Sequence, residues 1–291
     1  MERKLRVLMI GAHMDDPDFC GGGTALKYVA AGHSVRFLSV CDGSCGHHKM
    51  DKKEITARRL KELEKAAELT GIEYDNLLLP ECEIPATVEN CKRLVRYIRE
   101  YQPDIIFSHR TNDYHVDHRN TALMVQDASY LLILPNFCPE VKPLPETPVI
   151  MYFYDRFTNP VFKPDVVIST DDVIDQKFEM LNCYVSQMYE WLPYVYGILD
   201  QVPLDPKERL EWLHEPRVPR DGTLMTEADI KKVKRIYASE YEEATPAAKY
   251  RDKIVERYGE SARGTLFAEA FQVSEYGGAL TDENINLLFP F

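Results

Sequence analysis

Four of the chain's eight histidines fall in two short polar stretches. The first is His13-Met14-Asp15-Asp16-Pro17-Asp18, and the second runs His109-Arg110-Thr111-Asn112-Asp113-Tyr114-His115-Val116-Asp117-His118. Imidazole and carboxylate heads together suit a borderline cation such as Zn²⁺, held by three protein ligands with a position left for water; Fe²⁺ suits the same set. A spacing of three brings His13 and Asp16 to one point if the stretch turns into the first turn of a helix. Asp15 then projects elsewhere, and His118 can supply the third ligand from the second stretch. A zinc-bound water has a pKa of about 7, and a free carboxylate beside it is a natural general base. Taken singly, these residues say less. Acidic residues after a strand often cap a helix, and a lone loop histidine is more often a surface group. Their joint occurrence carries the metal reading. His47-His48, in a charged stretch, read as solvated, and His33 reads as a turn or strand edge.

Both stretches follow a predicted strand. Apolar runs at Arg6–Gly11, Val35–Val40, Asn76–Leu79 and Asp104–Ser108 alternate with helical patterns at Thr24–Ala31, Lys52–Leu69 (closed by Gly71), Thr87–Glu100 and Arg119–Leu132. That alternation predicts an α/β fold with a doubly wound, mostly parallel sheet. Strands one and four are then neighbours at the switch point, where ligands bind at the carboxyl ends, so two distant polar stretches come within reach of each other. Further strands are expected at Val149–Tyr154 and Val166–Ser169, with a helix over Asp171–Gln187 capped by Asp171-Asp172, and Thr265–Val273 reads as a return of the chain to the core. Residues 188–263 change character, rich in charge, aromatics and prolines, with helices expected around Glu227–Tyr241 and Ala247–Tyr258. They read as an inserted, lid-like helical segment within one domain spanning 1–291.

A formal net charge of −12 argues against a nucleic-acid binder or an anionic-membrane binder. Apolar runs are far shorter than the roughly 20 residues of a membrane span. The N-terminus has a basic start but no small-residue cleavage pattern and runs straight into a core strand, so a signal peptide is not expected. Seven scattered cysteines without a CxxC pair fit free thiols in a reducing compartment, the cytoplasm. Gly21-Gly22-Gly23, with Asp42 about 20 residues on, raises a nucleotide-binding loop. The glycines do not spell GxGxxG directly after the strand, and close helix–sheet packing explains them better.

At the two polar stretches the sequence resembles the PIG-L/LmbE family of zinc-dependent N-acetylglucosaminyl deacetylases. The family opening AHPDDE…GGT stands here as Ala12-His13-Met14-Asp15-Asp16-Pro17 with Gly22-Gly23-Thr24, and HPDH as His115-Val116-Asp117-His118. Arg59, Glu62, Ala66 and Gly71 match a helix pattern between them; Lys177, Leu181, Ser186-Gln187 and Ala268-Glu269-Ala270-Phe271 resemble closing elements. The resemblance implies a Rossmann-like fold and hydrolysis of an N-acetyl amide on an amino sugar or glycoside. It implies that His13, Asp16 and His118 bind zinc and that Asp15 is the general base. His115 would be the protonated partner of the oxyanion or leaving amine, oriented by Asp117, and Arg59 would contact substrate. Self-association is a further implication. Met14, Pro17, Val116 and Tyr184 depart from the family pattern, but no implied ligand or catalytic residue is missing. Two other readings stand beside it. A metal-dependent phosphoesterase would need a second metal, recruiting Asp18, His109 and Asp113, and a non-catalytic sugar- or nucleotide-binding module would bind ligand without metal.

Overall fold

Both faces of the first strand are apolar, and both are covered. β1 (Arg6–Gly11) turns Val7 and Met9 into one packed cluster and Leu8 and Ile10 into another, as a strand inside a parallel sheet must. The computed structural model describes residues 3–291; Met1 and Glu2, the head of the basic N-terminal stretch, lie outside the described residues. The sheet continues with β2 (Ser34–Cys41), β3 (Glu73–Leu79), β4 (Ile105–Ser108), β5 (Val149–Phe153), β6 (Val166–Ser169) and β7 (Ala268–Val273), in the order β3-β2-β1-β4-β5-β7-β6. Pairing is parallel from β3 through β5, while β7 runs antiparallel to both its neighbours. The expected doubly wound, mostly parallel sheet is present.

Helices cover both faces. On the Val7/Met9 side pack α1 (Asp16–Ala30), α2 (Lys52–Thr70) and, after β6, the helix Ile174–Asn182. On the Leu8/Ile10 side pack α3 (Val88–Tyr101) and α4 (Val116–Leu131). Local signals account for several ends. α2 opens on a reciprocal capping box between Asp51 and Glu54 and closes on Gly71 at φ +71°. Thr87 caps α3.

Four element expectations need correction. α1 starts at Asp16 rather than Thr24, with Pro17 in its first turn, so the three glycines lie inside the helix. α4 starts at Val116 rather than Arg119, which places His118 on a helix. Asp171 and Asp172 do not cap the next helix, which starts at Ile174. Asp171 instead accepts the backbone N–H groups of Leu266 and Phe267, and Asp172 takes Lys27 Nζ at 2.8 Å. The helix expected over 227–241 shrinks to Glu227–Ile230; beyond it Lys231 and Arg235 would stack like charges at i,i+4.

Residues 188–263 form short pieces, among them a π-turn at Gln187–Trp191 and helices Pro206–His214, Glu240–Lys249 and Arg251–Tyr258. Among the described residues, no helix is long and apolar enough to cross a membrane.

Candidate metal and active site

The site begins with the way β1 ends. A Cβ at Gly11 would lie 2.7 Å from both Asp16 Cβ and Pro17 Cδ, so the missing side chain lets α1 fold straight back over the strand. Asp16 then accepts the backbone N–H of His13 at 2.7 Å. β4 lies alongside β1, with Val7 opposite Ile105 and Ile10 opposite Ser108. The segment leaving β4 therefore brings His109 through His118 to the same end of the sheet.

Three donor atoms converge there. His13 Nδ1 is 3.1 Å from His118 Nε2 and 3.3 Å from Asp16 Oδ2, and His118 Nε2 is 3.4 Å from that oxygen. Ligands at about 2.0–2.1 Å from one tetrahedral ion stand about 3.3 Å apart, so the triangle has the dimensions of a metal seat. Its chemistry agrees, since two imidazole nitrogens this close can share at most one proton between them, and a cation satisfies both lone pairs and the carboxylate at once. Groupings of His13, His115 and His118, and of Asp16, His109 and His118, also bring donor atoms within 4.8 Å of one another.

Carboxylates stand behind both imidazoles. His118 Nδ1 lies 3.1 Å from Asp113 Oδ2, which leaves Nε2 free to face the triangle. His13 Nε2 lies 3.5 Å from Glu81 Oε1 and 3.6 Å from Asp117 Oδ2. Burial by itself would lower both histidines; instead Asp16, Asp117 and Glu81 hold His13 up at about 10, and Asp16 and Asp113 hold His118 at about 9. Burial would raise Asp16, but His118, His13 and His109 hold it well below the usual carboxylate range. The carboxylates thus favour one positive charge between the two facing nitrogens, a proton or a cation. His109 Nε2 is 3.0 Å from Asp16 Oδ2 and 3.2 Å from the Ala12 amide. It cannot donate to one and accept from the other, and the charge-assisted bond to Asp16 is the stronger.

Asp15 is differently placed. Its Oδ1 accepts Arg59 Nη2 at 2.6 Å, and both residues are buried and line the cavity. His115 caps α4, its Nδ1 accepting the Asp117 backbone N–H at 3.2 Å. The ring's proton therefore sits on Nε2 in the neutral form. The Asp117 carboxylate is 3.9 Å from His115 Nδ1 and accepts the Cys82 N–H at 2.8 Å. It touches His115 through the backbone, and its side chain lies nearer His13.

The helix pattern Arg59…Glu62 divides its work: Glu62 accepts Ser186 N at 2.9 Å and Ser186 Oγ at 2.6 Å, while Gln187 donates to the Gly46 carbonyl at 3.2 Å. Sequence reasoning missed Glu81, which follows β3 with no motif around it. It named Asp113 only as a spare ligand, although its place in the same stretch as His118 was a usable signal. His47 and His48 are not simply solvated. His47 Nε2 bonds Glu190 at 2.9 Å, Glu190 also pairs with Arg58, and His48 stacks on Tyr194 at 4.4 Å.

Over the site lies a cavity of about 510 Å³. Its far wall comes from 188–263, including Trp191, Tyr237 and Glu242.

The family described as GlcNAc-PI de-N-acetylase (PIG-L) matches residues 8–129. Diacetylchitobiose deacetylase of Thermococcus kodakarensis is 30% identical over 207 residues, 66% of this chain and 76% of that protein. The chain belongs to the PIG-L family. This membership makes it a hydrolase of amide C–N bonds, with donor groups able to hold a metal ion. The solved N,N'-diacetylchitobiose deacetylase of Pyrococcus horikoshii superposes with a TM-score of 0.63 at 23% identity, over 93% of this chain and 84% of that one. A 4-carboxy-2-hydroxymuconate hydratase of Pseudomonas putida also gives 0.63, at 18% identity, over 96% and 99%. These two likenesses speak for the PIG-L fold alone.

The phosphoesterase ligand set is not assembled. Asp18 is buried and accepts Tyr74 Oη at 2.6 Å and Tyr184 Oη at 3.1 Å, and Asp113 is spent on His118. Tyr184, which stands at one departure from the family pattern, thus closes Asp18 off.

Proposed function

We propose that the chain removes the acetyl group from an N-acetylated amino sugar or glycoside, a small molecule, with His13, Asp16 and His118 holding a zinc ion. The triangle of donor atoms beside a carboxylate that takes no part in it is the observation that carries the reading. A bound zinc ion supplies Lewis acidity toward the amide carbonyl and lowers the pKa of water. Asp15, its carboxylate aimed by Arg59, takes the proton of the attacking water. His115 Nε2 presents its hydrogen to the oxyanion that develops on the carbonyl, and Asp15 passes the proton it took from the water to the departing amine. The His115 Nδ1 bond to the start of α4 keeps the Nε2 donor aimed. Asp113 and Glu81 orient His118 and His13, as carboxylates behind metal-bound histidines do.

The segment 188–263 serves as a wall over the site, where Trp191 and Tyr237 offer ring faces to a sugar. Exposed Val195, Tyr196 and Leu204 on that segment support self-association. The cysteines, all free, support a reducing compartment, the cytoplasm.

The test is primary-amine release from a panel of N-acetylglucosaminides, with zinc-loaded protein beside its Asp15→Asn variant. Release confined to the unaltered chain supports the reading and ranks acceptors. No release from any sugar amide overturns it.

A further inference from the structure

Beside the first metal seat lies a second group of donors that the deacetylation mechanism does not use as a set. One donor atom each from Cys82, His115 and Asp117 lie within 4.8 Å of one another. The cysteine comes from the corner after β3, and the other two from the start of α4. We infer that Cys82, His115 and Asp117 form a second cation seat for a thiophilic divalent ion, whose occupation withdraws His115 from the reaction.

Several independent features point to a ligand there. Asp117 is fully buried, and while its Oδ2 accepts the Cys82 N–H at 2.8 Å, its Oδ1 has no hydrogen-bond partner among the described residues. A buried carboxylate oxygen left so is a position waiting for a donor or a cation. Cys82 is exposed, so an ion can reach the seat from solvent. On the neighbouring loop the Cys45 thiol donates to the Glu81 carbonyl at 3.5 Å, one residue before Cys82. Glu81, whose carboxylate accepts the backbone N–H groups of Cys45 and Gly46, adds negative charge beside them. A competing group of His13, Cys41 and Asp117 also brings donors together. There Cys41 is buried in the core and His13 belongs to the first seat, so the exposed thiol is the one available.

Sulfur, imidazole and carboxylate together select zinc or cadmium over magnesium or calcium. On binding, the Cys82 thiol gives its proton to solvent and the thiolate joins the ion; no oxidant is needed. His115 Nδ1, the ring nitrogen on the Asp117 side, then exchanges its bond to the Asp117 N–H for the ion, and the Nε2 hydrogen is no longer aimed at the amide. Excess metal should therefore inhibit an enzyme that the first equivalent activates.

The consequence for turnover rests on the deacetylase reading, but the seat itself does not, and the experiment separates them. Metal-free protein is titrated with Cd²⁺ while thiolate-to-metal charge-transfer absorbance is followed, and zinc stoichiometry is measured by equilibrium dialysis. We expect about two ions per chain, a thiolate band, and at least an about tenfold fall in turnover in excess zinc. Cys82→Ser should bind about one ion, show no band and keep its turnover in that excess. His118→Ala should keep the thiolate band while losing the first site. A wild-type chain that binds one ion without a thiolate band overturns the second seat and leaves the first standing. Equal inhibition of wild type and Cys82→Ser overturns it as well. Absence of amine release from a chain with its first ion bound sinks the deacetylase reading, and the Cys82-dependent band still decides the seat.

Discussion

Asp15 and Asp16 are adjacent carboxylates in opposite surroundings. Asp16 Oδ2 is approached by three imidazoles and a backbone amide, whereas Asp15 meets one guanidinium. Adjacent residues at a helix start point in different directions, which is how one can hold a cation while the other stays free for protons. Asp15→Asn keeps the shape and the bond to Arg59 but cannot take a proton. Its kcat should fall by about 10²–10⁴ with metal content unchanged, as turnover and metal analysis on one sample would show; normal turnover would remove Asp15 from the base role. The residues behind the ligands make a different prediction. Glu81→Gln and Asp113→Asn should each weaken zinc binding by about 10–100-fold, read by competition with a chelator; unchanged affinity would reduce both to loop contacts. Residue types and spacing make His13, Asp16 and His118 legible as a group from the sequence alone. Glu81 was not legible, because its role depends on β3 ending at the same edge of the sheet as β1, across β2, a fact of sheet order that no local pattern carries. For Asp117, spacing named the residue but not the side of the helix start to which its carboxylate turns.

At the scale of elements, apolar runs separated by amphipathic helices sufficed to place β1 beside β4 and hence the two polar stretches together. The start of α1 was misread because three consecutive glycines look like a loop. Tertiary contacts override that tendency. Glu269 on β7 accepts the N–H groups of Gly23 at 2.8 Å and Thr24 at 2.7 Å, and Lys177 donates to the Phe19 carbonyl at 2.8 Å. The helix is pinned by buried charges exactly where its side chains vanish, and at Gly23 a Cβ would meet Thr170 Cγ2 at 2.6 Å. A sharper test of how an element sets the site is Gly11→Ala. The added carbon collides with Asp16 and Pro17 at 2.7 Å, so the β1–α1 turn must open and shift Asp16 away from His13 and His118. We expect a stability loss of about 1–3 kcal/mol by urea unfolding, together with weaker metal binding. Full metal affinity in a folded Gly11→Ala protein would show that the turn does not set the ligand triangle.

Across the whole molecule, one buried cluster ties the segment 188–263 to the sheet. Lys177 Nζ sits 2.7 Å from Glu243 Oε2, on the helix Glu240–Lys249, and 2.7 Å from Glu269 Oε1 on β7. Two buried carboxylates thus share one buried ammonium, and both line the cavity. Burial first, and then the neighbouring Glu269 charge, push Glu243 up to about 7 against the pull of Lys177. An acid that holds its proton more tightly folded than unfolded favours the fold at low pH. That advantage is lost as pH rises from the ordinary carboxylate range through about 7, because the unfolded chain has already released the proton. Above neutrality the cluster carries one negative charge more than Lys177 can balance. Glu243→Gln keeps the side chain's size and leaves Lys177 paired with Glu269, so it lacks this dependence. The stability of wild type relative to Glu243→Gln should therefore improve as pH is lowered from about 8 to about 5, by on the order of 1–3 kcal/mol. Urea unfolding of both proteins at matched pH values measures it. A difference that stays flat across that window would mean Glu243 remains ionised throughout, and that Lys177 is strong enough to hold both carboxylates charged and the segment equally fixed over the site on either side of neutrality.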